Sequence, residues 1–180
     1  MWEKDLLHEE NVLFKKKRKN PVAYLFIQEP VSPCGELMKY VIVYFSRYGN
    51  GKKLVEYLSG KLKENKGAVQ LFTPDGADPG AMPEADVYVF SAAAERFSLQ
   101  SDMKSFMKNL RGMDGKKYGI MNTHGMKKDK LDKMETLLSK KNMVKLVGVE
   151  FHVEGDAVQT GNGLPNGWEA RLDEFAGKLG

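Results

Sequence analysis

The chain of 180 residues is 42% hydrophobic and 29% charged, enough for one domain with an apolar core and an appendage. Its longest apolar stretches, Val22 to Ile27 and Tyr40 to Phe45, are six residues each, against about 20 for a membrane-spanning helix. A single cysteine, Cys34, excludes an intrachain disulfide; His8, His124 and His152 show no metal-ligand spacing; and a net charge of +4 is too mild to point to nucleic acid.

Residues 1–37 read as an extension. Met1 to Lys19 is polar and ends in Lys15-Lys16-Lys17-Arg18-Lys19, and Pro21, Pro30 and Pro33 punctuate the stretch from Asn20 to Leu37. The basic run reads first as a solvated tail, with a nuclear-localisation patch or a polyanion site as the sharper alternatives. No apolar stretch comes after a basic start in the manner of a secretory signal, so the expected location is the cytoplasm. Gly35-Glu36 just before Met38 can be encoded by a purine run like a ribosome-binding site, and Met38 is the expected natural start.

From Met38 the pattern turns regular. Tyr40 to Phe45 reads as a buried strand. Ser46-Arg47-Tyr48-Gly49-Asn50-Gly51 is a turn-forming loop, and Lys52 to Glu64 a helix with Leu54, Val55, Leu58 and Leu62 inward. A second strand (Ala68 to Thr73) and a Gly/Pro/Asp loop lead to a third strand, Asp86 to Ser91. Ala92 to Gln100 reads as a loop before a helix capped by Ser101 or Asp102 and running to Leu110. Lys117 to Met121 is a fourth strand, Asn122 to Gly125 a loop, and Lys127 to Lys141 a helix. A fifth strand (Val144 to Val153), a loop (Gly155 to Gly167) and a last helix (Trp168 to Leu179) complete the chain. Strands alternating with helices predict a parallel sheet covered on both faces. Such sheets bind ligands beyond the carboxyl ends of their strands.

The loop after the first strand has the composition of an anion cradle. Its glycines let the backbone approach a ligand, and its amides stand at a helix N-terminus. Ser46 offers a hydroxyl and Lys52 a charge. It is not a Walker A loop, since the glycine spacing fails and Lys53 stands in place of Ser or Thr. A plain strand-to-helix turn would use the same residues.

The stretch Tyr44-Phe45-Ser46-Arg47-Tyr48-Gly49-Asn50-Gly51-Lys52 resembles the FMN-phosphate loop of flavodoxins, with Ser46, Gly49 and Asn50 matching and Tyr48 and Gly51 where the family prefers threonines. Val89-Phe90-Ser91-Ala92-Ala93-Ala94 and Phe106-Met107-Lys108-Asn109-Leu110 resemble the family's third strand and following helix. The resemblance spans residues 38–180 and looks closest to short-chain flavodoxins and flavodoxin-domain oxidoreductases of the protoporphyrinogen-oxidase type. It implies a flavodoxin-like three-layer α/β sandwich with a five-stranded parallel sheet in the order 2-1-3-4-5. It also implies an FMN site. Ser46, Arg47, Tyr48, Gly49, Asn50 and Gly51 would surround the phosphate, with Ala92, Ala93, Ala94 and Phe97 on one side of the flavin and Asn122, Thr123, His124 and Gly125 on the other. Phe97, His124 and Tyr48 are the candidates to cover the ring. No acid–base partner for His124 is visible in the sequence, so it reads as a loop histidine.

Two departures bear on function. Ala92 to Gln100 lacks the glycine whose peptide flips in flavodoxins to accept a hydrogen bond from reduced N5. And where the family is typically acidic, residues 1–37 balance at six basic and six acidic, so all of the +4 lies on residues 38–180. Lys127 and Lys128 stand just after the second flanking loop. The resemblance implies an electron-transfer protein whose redox partner has an acidic surface. An oxidoreductase acting on a quinone or porphyrinogen, and a fold that has lost FMN and serves as a binding or regulatory module, stay open. A receiver-type domain shares the architecture but needs an acidic cluster after the first strand, and Ser46 to Gly51 offers none.

Overall fold

The computed structural model describes residues 37–95, 98–125 and 129–180. The expectations for the N-terminal extension, for Phe97 and for Lys127 and Lys128 therefore lie outside the described residues.

The strands in chain order are β1 (Lys39–Tyr44), β2 (Ala68–Phe72), β3 (Val87–Glu95), β4 (Ser98–Leu99), β5 (Lys117–His124) and β6 (Val144–His152). The helices are α1 (Asn50–Glu64), α2 (Ser101–Asn109), α3 (Leu131–Ser139) and α4 (Trp168–Gly177), with a 3₁₀ turn at Asp156–Thr160. The long strands form a parallel sheet in the order β2-β1-β3-β5-β6. With the two-residue β4 set aside, this is the expected 2-1-3-4-5 arrangement.

Alternation along the central strands builds two cores. Val41, Val43, Tyr88, Phe90 and Ile120 pack with Met103, Phe106 and Met107 of α2 and Met134 and Leu138 of α3. Tyr40, Ile42, Val87, Val89, Met121 and Phe151 pack with Leu54, Val55 and Leu58 of α1 and Leu172 and Phe175 of α4. Both faces of the sheet are thus covered, which is why its central strands read as nearly continuous apolar runs. At Gly119 a Cβ would come within 2.7 Å of Leu179 Cδ2 and 2.9 Å of Phe175 Cζ. Glycine in mid-strand there lets the C-terminal helix sit directly on the sheet.

The central strands run further than expected. β1 pairs with β3 only as far as Tyr44↔Ser91, but β3 continues against β5 through Ala92↔Asn122 and Ala93↔Thr123. β4 then pairs antiparallel with it, through Ala94↔Leu99 and Glu95↔Ser98. β5 continues against β6 to His124↔His152. Ala92, Ala93 and Ala94, and likewise Asn122, Thr123 and His124, are therefore strand residues and not loop residues. Pairing with neighbouring strands satisfies their backbone groups, which outweighs alanine's weak strand preference.

Helix starts also differ. Gln100, not Ser101 or Asp102, caps α2, its side-chain oxygen accepting from the Met103 amide at 2.8 Å. α1 begins at Asn50, two residues before the expected start. α3 is shorter than its charged pattern suggested, because Asp129 accepts the Leu131 amide at 2.8 Å and fixes the start there.

Burial also sets an alkaline limit. It holds the Tyr118 phenol up at about 12, with Glu135 adding to the effect. Tyr40 and Tyr88 are raised chiefly by burial as well. The folded state holds these protons more tightly than the unfolded chain, so their contribution is complete below pH about 10 and is lost as pH rises towards 12. Urea-denaturation midpoints should be flat from pH 8 to 9.5 and fall above it. Tyr118→Phe should fall less steeply; an identical pH profile would contradict this assignment.

Candidate functional site

β1 ends at Tyr44, opposite Ser91, while β3 runs on for four more residues. A cleft of about 500 Å³ opens beyond the end of β1, at the switch point where the chain's crossovers diverge to opposite faces of the sheet. One wall is the β1–α1 loop, with Ser46, Arg47, Tyr48, Asn50 and Gly51. The other is formed by Ala93, Ala94 and Glu95 from β3, Thr123, His124 and Gly125 from the end of β5, and Val153 and Val158 from the β6–α4 connection.

The N-terminus of α1 opens onto this cleft. Its N-cap, Gly49, adopts φ 91°, a left-handed conformation that glycine takes without strain. No side chain caps the helix, and its first turn holds no acidic residue. Capping normally satisfies some of the four free amides of such a turn; here the turn is presented to the cleft with its positive dipole end. A Cβ at Gly51 would lie 3.3 Å from Ser46 Oγ, so glycine at this position keeps the serine hydroxyl beside the helix start.

Three groups lock the surroundings. Arg47 spans the mouth of the cleft to Glu95, 3.1 Å from Oε1. Asn122 is fully buried, its Nδ2 donating to the Ala92 carbonyl at 2.8 Å and its Oδ1 accepting the Lys130 amide at 3.0 Å. The Asn50 Nδ2 donates to the Val158 carbonyl at 2.8 Å, and its Oδ1 accepts the Gly163 amide at 3.0 Å. Asn50 thereby ties the β6–α4 connection over the start of α1. Gly161, at φ 76°, allows the close approach: a Cβ there would be 3.0 Å from the Tyr48 carbonyl oxygen.

His124 has the partner that the sequence did not reveal. Its ring is buried, and Nε2 hydrogen-bonds the Glu150 carboxylate. Glu150 also accepts from Arg171 at 3.4 Å. The His152 ring stacks on His124 with centroids 5.1 Å apart and planes within 3°, and its Nδ1 lies 3.1 Å from Glu154. The reading of His124 as a loop histidine without an acid–base partner is thus corrected. Glu150 lies 26 residues away, on a neighbouring strand that only the sheet brings alongside.

Ten of the fourteen sequence candidates line the cleft, and Gly49 adjoins it. Ala92 and Asn122 are buried behind the wall, and Phe97 is outside the described residues. Glu95, Val153 and Val158 line the cleft without having been anticipated, since no local motif marks them. Among the described residues no group of three or more metal-ligating side chains occurs, and no helix is long and apolar enough to cross a membrane.

Neither a protein-family model nor a curated protein matches the sequence. Solved structures do match the fold. Oxidised flavodoxin 1 from Bacillus cereus is 16% identical, with 78% of this chain and 96% of that chain covered at a TM-score of 0.60. The flavodoxin of Streptococcus pneumoniae TIGR4 is 20% identical, with 78% and 97% covered at 0.61. The rubredoxin oxygen:oxidoreductase of Desulfovibrio gigas is 12% identical and matches 78% of this chain over 35% of its own length at 0.64. The fold of this chain is flavodoxin-like.

Proposed function

We propose that this chain binds FMN in the cleft between β1 and β3 and acts as a flavodoxin-like electron carrier. The observation that carries the reading is the uncapped start of α1, free of acidic residues, opening into a cleft at the switch point of this fold. The residues present fit the group. The cleft volume lies within the roughly 300–1,000 Å³ of small-molecule sites, and the first-turn amides with the Ser46 hydroxyl suit a phosphate. The chain supplies binding and orientation, and FMN when bound supplies the electron-transfer chemistry.

In this reading Gly49, Asn50 and Gly51 offer backbone amides to the phosphate, while the Asn50 side chain stays committed to Val158 and Gly163. Small residues on β3, Ala93 and Ala94, leave room for a flat ring system, and Thr123, His124 and Gly125 bound it from β5. Arg47 and Tyr48 stand at the mouth. The Glu150 carboxylate fixes the orientation of the His124 ring at the end of β5. The basic residues of this domain suit a redox partner with an acidic surface. The oxidoreductase reading uses the same cleft.

The alternative of a fold without cofactor draws on one feature. The β6–α4 connection is drawn close over the phosphate loop at Gly161. One titration separates the two. Added FMN should bind with a perturbed flavin spectrum, bands at about 370 and 450 nm, and should raise the melting temperature. If neither spectrum nor melting temperature changes at saturating FMN, the electron-carrier reading fails.

A further inference from the structure

A second cleft, of about 620 Å³, lies beside the first and shares the Arg47–Glu95 pair with it. Its floor includes Leu99 and Ser98 of β4. Its far side is the outer face of α2, where Ser101, Lys104, Ser105 and Lys108 recur at intervals of three and four residues. Residues so spaced are neighbours on a helix, and two lysines four apart repel each other. Among the described residues neither ammonium meets a carboxylate. Lys104 is also the fourth residue of α2, towards the end where the helix dipole disfavours a cation. Lys133 brings a further ammonium to the rim, 3.3 Å from Ser98 Oγ. Among the described residues the one carboxylate in the lining, Glu95, is taken up by Arg47.

We propose that this second cleft binds a small molecule carrying two or more carboxylate or phosphate groups. Among the described residues, three cations against one carboxylate leave the lining net positive. A dianion spanning Lys104 and Lys108 turns their mutual repulsion into attraction. The hydroxyls of Ser98 and Ser105 can each donate to an anionic oxygen, while that of Ser101 donates to Asp102. The volume of about 620 Å³ lies within the roughly 300–1,000 Å³ of small-molecule sites. This site gives the positive charge of the domain a specific place to act. That the ligand lies next to a flavin rests on the function proposed above; the anion binding itself does not.

The test uses the full chain, titrated calorimetrically with citrate and, separately, with pyrophosphate at constant ionic strength, with acetate as control. At least one of the two polyanions should bind saturably, one per chain, and the stronger of them separates carboxylate from phosphate recognition. Lys104→Gln/Lys108→Gln, which alters only the outer face of α2, should weaken that binding at least about tenfold and leave FMN affinity unchanged. Absence of saturable binding by either probe, or equal binding by the double variant, overturns the proposal. So does binding of a polyglutamate peptide when neither small polyanion binds, which would assign the patch to an acidic protein. Loss of the FMN reading alone would appear differently, as variant-sensitive polyanion binding without any FMN response.

Discussion

Gly49→Asp should lower FMN affinity by about two orders of magnitude while leaving the far-ultraviolet circular dichroism unchanged. Gly49 caps α1 in a left-handed conformation, which aspartate tolerates better than most residues. A carboxylate there meets the positive end of the helix, worth about 0.3–1 kcal/mol in favour of the fold. The same carboxylate occupies the region proposed for the phosphate. Two negative charges a few ångströms apart at intermediate dielectric repel by about 3 kcal/mol, roughly a 150-fold loss of affinity. Gly49→Asn carries the same backbone demand without the charge, and it should retain most of the affinity. Equal FMN affinity in the two variants would contradict the placement of the phosphate at α1.

Asn50→Ala should cost about 2–4 kcal/mol of stability, measured by urea denaturation. Asn50 is 5% exposed and joins the start of α1 to two backbone groups more than a hundred residues away. Removing its amide leaves the buried Gly163 N–H and the Val158 carbonyl without these partners. An unmade hydrogen bond in such a place costs more than the bond's own net worth. Hydrogen exchange should then rise at Val158 and Gly163 before the sheet opens. A change of less than about 0.5 kcal/mol in the alanine variant would mean that the β6–α4 connection is held by other contacts.

The two residues differ in what their neighbours in sequence reveal. Glycine beside a strand end and a helix start has a local reason, a left-handed cap, and the pattern Ser46 to Gly51 carries it openly. Asn50 stands in the same motif, yet its side chain serves the far end of the chain. The expectation that Asn50 belongs to an anion cradle concerns its backbone; the tertiary structure assigns its amide group a second task.

The fold was legible for a related reason. Buried parallel strands must be apolar on both faces, and helices must show one apolar stripe, so Val41 to Val43, Val87 to Phe90 and Leu54 to Leu62 announced their states locally. Where the strands end was not legible. Ala92 to Ala94 and Asn122 to His124 lack strand composition, and hydrogen-bonded neighbours from elsewhere in the chain extend them. The same pairing sets Ala93 and Ala94 as a wall of the cleft and places Ala92 and Asn122 behind it.

By itself, the sequence determined the alternation of strands and helices, the two apolar faces and a glycine-bearing loop at a helix start. Those features rest on periodicity and backbone freedom within a few residues. Only the tertiary structure decided that Glu150 partners His124, that Arg47 reaches Glu95, and that Lys104 and Lys108 face a second cleft beside the first. Each of these depends on side chains brought together by sheet register and helix packing, and electrostatic partnership acts through space without leaving a mark on sequence spacing.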